Sequence, residues 1–373
     1  MIKPSSLIEV LKNNHIKRFF GVPDSLLKDF AGYIADYMSP KEHIITANEG
    51  NAIAMAAGYN LATNKIALVY LQNSGLGNTI NPLVSLVDPK VYNIPLIMMI
   101  GWRGEPNLKD EPQHVRQGEI TESLLNELQI PFVVLDEKSY STQVESLVEK
   151  ARNESRPVAI LVKKNTFEEY RFKVQDNSFQ LGREEALKMI LETLKPEDKI
   201  ISTTGKSSRE IFELRESLNQ SHQNDFLTVG SMGHVSSIAL GYALNSSSNV
   251  YCIDGDGSMI MHAGALGILA SNQPKNLKYI LMNNASHESV GGQPTISSSI
   301  NYDLLFQGMG FEKPITVNNL EELKVSLVEV ENNFKKPLIV NVKIGSREDL
   351  GRPTIKPIES KHNFMKETLF NES

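Results

Sequence analysis

The 373-residue sequence holds a single cysteine, Cys252, so neither an internal disulfide framework nor an all-cysteine metal site can form. Charge of one sign is not in excess by much. Its 38 basic and 44 acidic residues leave a formal charge of −6, spread along the chain. A nucleic-acid partner would need a basic face or stripe, so none is expected. Long apolar runs are missing as well. The longest, residues 94–100, is strand-sized and interrupted by Pro95, far short of the ~20 residues that cross a bilayer. No membrane partner is therefore expected. The N-terminal sequence lacks an apolar stretch followed by small residues, so no signal peptide is expected and the cytoplasm is the expected location.

What the chain has in abundance is alternation. Short β-branched and aromatic runs at 17–22, 43–46, 65–71, 94–100, 132–135 and 157–162 are separated by helix-length stretches such as 26–38 and 48–62. A second series of runs follows at 199–202, 225–228, 249–253, 278–282, 315–317 and 338–342. Strands alternating with helices indicate βαβ units and parallel sheets. Between the series the sequence turns polar and aperiodic. The expected fold is α/β, with two tandem doubly wound parallel-sheet domains at 1–172 and 182–373 joined by a linker at 173–181. No residue-level repeat relates the halves. Residues 101–117, rich in Pro, Gly and charge, read as a functional loop, and the tail beyond 350 as irregular.

The sharpest pattern lies in the second half. An apolar run ends in Asp254, Gly255, Asp256, Gly257 and Ser258, and the next ends in Asn283 and Asn284. Open parallel sheets bind ligands at such carboxyl ends. The two glycines permit close backbone approach, and a helix after them offers free N–H groups to an anion. One carboxylate with a neutral amide oxygen suits Mg²⁺ when a diphosphate completes its octahedron. The bland reading is a strand–turn–helix beside an ordinary Asn-Asn turn.

The paired motifs resemble the signature of the thiamine-diphosphate enzymes, in which a GDG triplet is followed about two dozen residues later by Asn-Asn. The resemblance implies thiamine diphosphate and Mg²⁺ as cofactors. It puts the metal on Asp256, Asn284 and the main-chain oxygen of Ser286, and the diphosphate near Gly255, Gly257 and Ser258. Gly230 and Met232 resemble the loop in which a bulky side chain wedges the cofactor into a bent shape; Met232 could instead be a core methionine. Thr204 and Lys206 can present an N–H group and a cation to phosphate, or simply open a helix with Lys206 in solvent.

The family also requires a buried Glu that hydrogen-bonds the pyrimidine ring so that its exocyclic nitrogen can take the thiazolium proton. Glu49, after the second expected strand and before an Ala- and Gly-rich helix, matches it. Such a helix should be buried on most sides, leaving the carboxylate desolvated and suited to share a proton. Asp24 and Ser25 resemble the first strand–turn, whose polar residue faces the substrate, although either could be a helix cap.

Over its whole length, and without the middle domain of larger relatives, the chain is similar to decarboxylases of phosphonopyruvate. The similarity is densest at residues 72–78, 101–106, 110–118 and 287–295. It implies decarboxylation through the cofactor ylide, in phosphonate biosynthesis. A dianionic 2-oxo acid needs cations and N–H groups, for which Arg103, Lys109, His114, Arg116, His287, Gly291 and Gly292 are candidates. The Glu six residues after the metal Asn in pyruvate decarboxylases is Val290 here, which leaves protonation of the product carbanion to His114, His287 or water. Relatives build each site from two chains, which implies a homo-oligomer. Sulfopyruvate decarboxylase, an acetolactate-type carboligase and a non-catalytic regulatory subunit of this fold are the alternatives; a nicotinamide oxidoreductase is weak, because Gly75 and Gly77 lack a third glycine.

Overall fold

The computed structural model describes residues 1–370 other than 175, 273 and 348, and within them twelve strands form two six-stranded sheets. The first sheet contains β1 (Phe19–Gly21), β2 (His43–Ile45), β3 (Leu68–Gln72), β4 (Leu96–Gly101), β5 (Phe132–Val134) and β6 (Pro157–Val162). The second contains β7 (Lys199–Ser202), β8 (Asp225–Leu227), β9 (Val250–Gly255), β10 (Leu277–Asn283), β11 (Ile315–Val317) and β12 (Leu338–Asn341). Their orders are β2-β1-β3-β4-β6-β5 and, read from the corresponding edge, β8-β7-β9-β10-β12-β11. One path is traced twice, and every pairing is parallel.

The chain divides into two compact units, Met1–Val174 with Ser289–Gln293, and Gln175–Glu288 with Pro294–Ser373. Within each unit, helices cover both faces of the sheet, which is why the central strands are apolar without alternation. In the first, Leu68, Tyr70, Ile97, Met99 and Ile160 enter one core and Val69, Leu71, Met98, Ile100 and Leu161 the other. In the second, Ile253, Ile280 and Val340 oppose Cys252, Leu281 and Ile339 in the same way. Cys252 is thus core packing; burial pushes its thiol pKa up, away from thiolate chemistry.

Topology decides where ligands can enter. From β1 the chain goes first to β2 on one side and then to β3 on the other; β7, β8 and β9 do the same. Loops leaving neighbouring strands in opposite directions open a crevice at the carboxyl ends. In the first unit those ends carry Asp24, Ser25 and Gln72; in the second, Thr203 and Asp256.

All twelve expected strands form, with shifted ends, but three expectations need correction. The segment 101–117 is not loop throughout, because a helix begins at Pro112 and runs to Glu127. Proline suits a first helical turn, where its missing N–H has no partner to lose. The tail is not irregular either: Pro357–Phe370 is a helix whose Phe364 packs on Phe226 and Tyr242, with ring centroids 5.7 and 5.1 Å away. Finally, helix Glu49–Thr63 buries only one face, through Ala52, Ile53, Ala56 and Ala57, while Met55 and Leu61 are 37% and 74% exposed. Residue 175 of the expected linker and residues 371–373 of the tail lie outside the described residues. Among the described residues no helix is long and apolar enough to cross a membrane.

The second unit is pinned at β8 by a buried ion pair, Arg215 donating to Asp225 at 3.0 and 2.9 Å. Removing one partner strands the other charge. Asp225→Ala should cost about 3–5 kcal/mol in urea unfolding; a loss below ~1 kcal/mol would mean that the pair contributes no more than a surface one.

Candidate active site

In the second unit the site grows from the ends of β7, β9 and β10. Asp256 follows β9 and is 3% exposed. Burial pushes its carboxyl pKa up to about 6, against hydrogen bonds from Thr295 Oγ1 at 2.5 Å and from the main-chain N–H groups of Asn284 and Gly257. Asn284 follows β10. Its amide Nδ2 donates to Glu288 at 3.1 Å and its Oδ1 accepts from the Ser286 N–H at 3.1 Å. Ser258 ties three loops together, since its hydroxyl receives Thr203 Oγ1 at 3.0 Å and the Gly233 N–H at 3.1 Å. A side chain at Gly257 would meet Met232 Cε at 3.4 Å and the His287 ring at 3.3 Å, so all three surround the GDG turn. Burial pushes the His287 pKa down to about 4, which makes it a neutral neighbour rather than a cation.

These residues suit a hard cation. A carboxylate held out of water by neutral donors lacks the counter-charge that would offset its desolvation. Among the described residues no three His, Cys, Asp or Glu side chains converge on one point. One carboxylate, one amide oxygen and main-chain oxygens instead match Mg²⁺ that draws further ligands from a diphosphate and water.

In the first unit, Glu49 opens its helix behind Asn48, which caps it by accepting from the Asn51 N–H at 3.0 Å. Glu49 is buried and accepts from Asn78 Nδ2 at 2.7 Å. Gly75 lies directly against the carboxylate, and a Cβ there would overlap Oε1. Asp24 is fully buried after β1, bound by Gln72 Nε2 at 2.6 Å and by the N–H groups of Leu26 and Leu27. Burial raises its pKa in spite of those bonds. Ser25 Oγ accepts from Arg103 Nη1 at 2.8 Å.

Several of the expected cations have carboxylate partners within the chain. Arg103 spends its guanidinium on Asp110, through Nε at 2.8 Å and through Nη2, and on Ser25. Arg116 pairs with Glu119 at the surface, and Lys109 is exposed. Lys206, expected at a phosphate, bonds Glu288 at 3.0 Å. The reason is general: a partly buried cation needs a counter-ion within the chain. Thr204 and Gly230 are half-buried on their loops, and His114 is half-buried in the first turn of the helix Pro112–Glu127. Gly291 and Gly292 adopt φ of +136° and +83°, open to glycine and strained for other residues.

Sequence reasoning gave no individual role to Gly75, Asn78, Thr295 or Glu288, and placed Gln293 only in a possible N–H-rich cradle beside the metal. Gln293 is fully buried with neither amide atom hydrogen-bonded, a combination rare outside ligand-facing positions. All five lie in the segments 72–78 and 287–295, where the family similarity is densest, but only burial and partners reveal what each side chain does.

Residues 5–125 match the N-terminal binding domain of the thiamine pyrophosphate (thiamine diphosphate) enzymes, and residues 203–342 the C-terminal binding domain. This chain belongs to the thiamine-diphosphate-dependent decarboxylases. It is 30% identical to a phosphonopyruvate decarboxylase of Streptomyces hygroscopicus, across 98% of this chain and 93% of that one. The corresponding protein of Streptomyces viridochromogenes is 29% identical over 98% of this chain and 94% of its own. A sulfopyruvate decarboxylase of Methanosarcina acetivorans is 27% identical over 88% of this chain and 87% of its own. The fold is the paired thiamine-diphosphate-binding fold, and the enzyme is a carboxy-lyase acting on a small 2-oxo acid.

Gly75 gives this decarboxylase a direct test. Gly75→Ala should push the Glu49 carboxylate aside; if that carboxylate acts on the coenzyme, kcat should fall at least about tenfold, since a ~1 Å misplacement can cost 10²-fold. Thiamine diphosphate binding, followed by calorimetry, should persist. An unchanged kcat would show that the contact does not matter.

Proposed function

We propose that the chain converts phosphonopyruvate to phosphonoacetaldehyde and CO₂, a step of phosphonate biosynthesis, with thiamine diphosphate and Mg²⁺ bound. The observation that carries this reading is the near-complete alignment, 98% of the chain, with two phosphonopyruvate decarboxylases. Residues 1–172 would take the pyrimidine and residues 182–373 the diphosphate and metal. When bound, the coenzyme supplies a carbon nucleophile and an electron sink for the 2-oxo acid.

The protein's own groups do the rest. Asp256, Asn284 and the Ser286 carbonyl would hold Mg²⁺, while Gly255, Gly257, Ser258, Thr204 and Gly230 would let backbone N–H groups approach the diphosphate. Met232, close to Gly257, would press on the coenzyme. Glu49, buried at the head of its helix, would hydrogen-bond the pyrimidine end of the coenzyme. Ser25 and His114 would face the substrate, with Asp24, Lys109, His287, Gly291 and Gly292 around them. Arg103 would act through Ser25.

A homo-oligomer follows from the same reading. Helix Glu49–Thr63 leaves Ala54, Met55, Gly58 and Leu61 exposed directly behind Glu49, and a second copy would cover this apolar stripe. A lone, buried cysteine accords with the cytoplasm. Sulfopyruvate is the second candidate substrate, favoured by the similarity to sulfopyruvate decarboxylases and by the shared tetrahedral oxyanion.

A panel of 2-oxo acids assayed with thiamine diphosphate and Mg²⁺ separates these readings. Phosphonopyruvate should give a kcat/KM at least about tenfold above sulfopyruvate and pyruvate, the scale of one good charged contact. The reverse order would move the substrate to sulfopyruvate. No turnover of any acid would favour a regulatory subunit. Glu49→Gln should lower turnover by about 10²–10⁴ while calorimetry still detects bound thiamine diphosphate; full activity would remove its role.

A further inference from the structure

The second unit contains a buried charge network that the reaction described above does not use. Its centre is Glu288, in the turn Glu288–Val290, with a side chain only 9% exposed. One oxygen, Oε2, receives Arg183 Nη1 at 2.6 Å and Asn284 Nδ2 at 3.1 Å. The other, Oε1, receives Lys206 Nζ at 3.0 Å and the Gly345 N–H at 3.1 Å. Arg183 is itself clamped by Glu210 through two bonds of 2.7 and 2.8 Å. Four donors from four separate segments therefore fix one carboxylate.

The one neutral side chain among those donors belongs to Asn284. A carboxamide has two ends of nearly equal size but opposite polarity, and only the oxygen end can bind a cation. Here Nδ2 is taken by Glu288, and Oδ1 faces the Ser286 N–H. A flip would set Oδ1 against the Glu288 carboxylate and Nδ2 against that N–H, two repulsive contacts in place of two attractive ones. The main-chain N–H of the same residue donates to Asp256. The orientation of the amide is thus fixed, on a residue whose backbone touches the buried carboxylate.

We propose that Glu288 is the positioning residue of the metal site, orienting the Asn284 amide so that its oxygen is presented to the cation, with Arg183, Glu210 and Lys206 holding Glu288 in place. This rests on the reading of Asp256 and Asn284 as metal ligands. It also gives Lys206 a role as counter-ion to Glu288 and not as a phosphate ligand. Partners of this kind commonly change metal affinity by 10–100-fold.

The test is Mn²⁺ affinity, read by electron paramagnetic resonance on the full chain with saturating thiamine diphosphate, with folding checked by circular dichroism. Glu288→Gln keeps the shape but sets an amide N–H₂ among donors, and should weaken Mn²⁺ binding at least about tenfold. Combining it with Asn284→Asp restores the charge and puts oxygen at both ends of the ligand, so orientation no longer matters. The double variant should recover most of the lost affinity, which a merely structural role would not allow. Should Glu288→Gln not fold, Lys206→Met leaves the Arg183–Glu210 clamp intact. That variant should weaken Mn²⁺ and leave thiamine diphosphate affinity without metal unchanged. Affinity within about twofold of wild type in Glu288→Gln, no recovery in the double variant, or loss of metal-free coenzyme binding in Lys206→Met would each overturn the proposal. A wild-type chain that binds neither Mn²⁺ nor thiamine diphosphate would overturn the functional reading with it, whereas intact wild-type binding confines any failure to Glu288.

Discussion

The chemistry of this chain depends on keeping one carboxylate, that of Asp256, out of water while leaving it short of counter-charge. In an isolated turn it would be solvated and unremarkable. At the end of β9, with β7 and β10 on either side, it is covered by sheet and loop and reached only by neutral donors: a hydroxyl and main-chain N–H groups. Such donors reduce the cost of burying the charge without cancelling it. What is left over is an electrostatic demand of the kind that a small cation would meet. The glycines on both sides of Asp256 and the Ser258 knot serve this one requirement, because they let loops approach closely enough to exclude water.

The same strand path supports different chemistry in the two units. Both switch direction beside their first strand, and both place polar residues at the carboxyl ends there. In the first unit those ends and the helix after β2 carry buried acids, Asp24 and Glu49, each satisfied by side-chain amides, Gln72 and Asn78. In the second they carry Asp254 and Asp256 among hydroxyls, amides and glycine, Asp254 accepting from Tyr279 Oη at 2.9 Å and from the Gly255 N–H. Topology dictates where a site can lie, and the residues set into the loops dictate what it does. That is why a repeated architecture shows no repeated sequence.

Charges that looked available to ligands turn out to be largely committed inside the protein. Arg103 holds Asp110 and Ser25, and Lys206 and Arg183 hold Glu288. Although burial opposes it, hydrogen bonds from Arg103 and from the N–H groups of Glu111 and Gly104 keep Asp110 well below the usual carboxylate range. Such pairs add modestly to stability once desolvation is counted, and each ties a loop residue to a fixed partner. A loop tied in this way can hold a hydroxyl or an amide oxygen to within the tolerance that catalysis requires.

The sequence by itself determined the twelve strands, the two-sheet α/β plan, the GDG and Asn-Asn pair and Glu49. Each depends on local chemistry: apolar runs of strand length, glycines where backbone must come close, an acid before an alanine-rich helix. Gly75, Thr295, Glu288, Gln293 and the real partners of Arg103 and Lys206 could not be read that way, because their roles come from contacts between residues far apart in the chain. The tail helix and the exposed face of Glu49–Thr63 escaped for a related reason, since a single Phe364, or a helix with apolar residues on both faces, shows no period from which to infer what it packs against. Tertiary structure decided them, because burial and pairing are properties of neighbours in space, and a linear pattern records only neighbours in sequence.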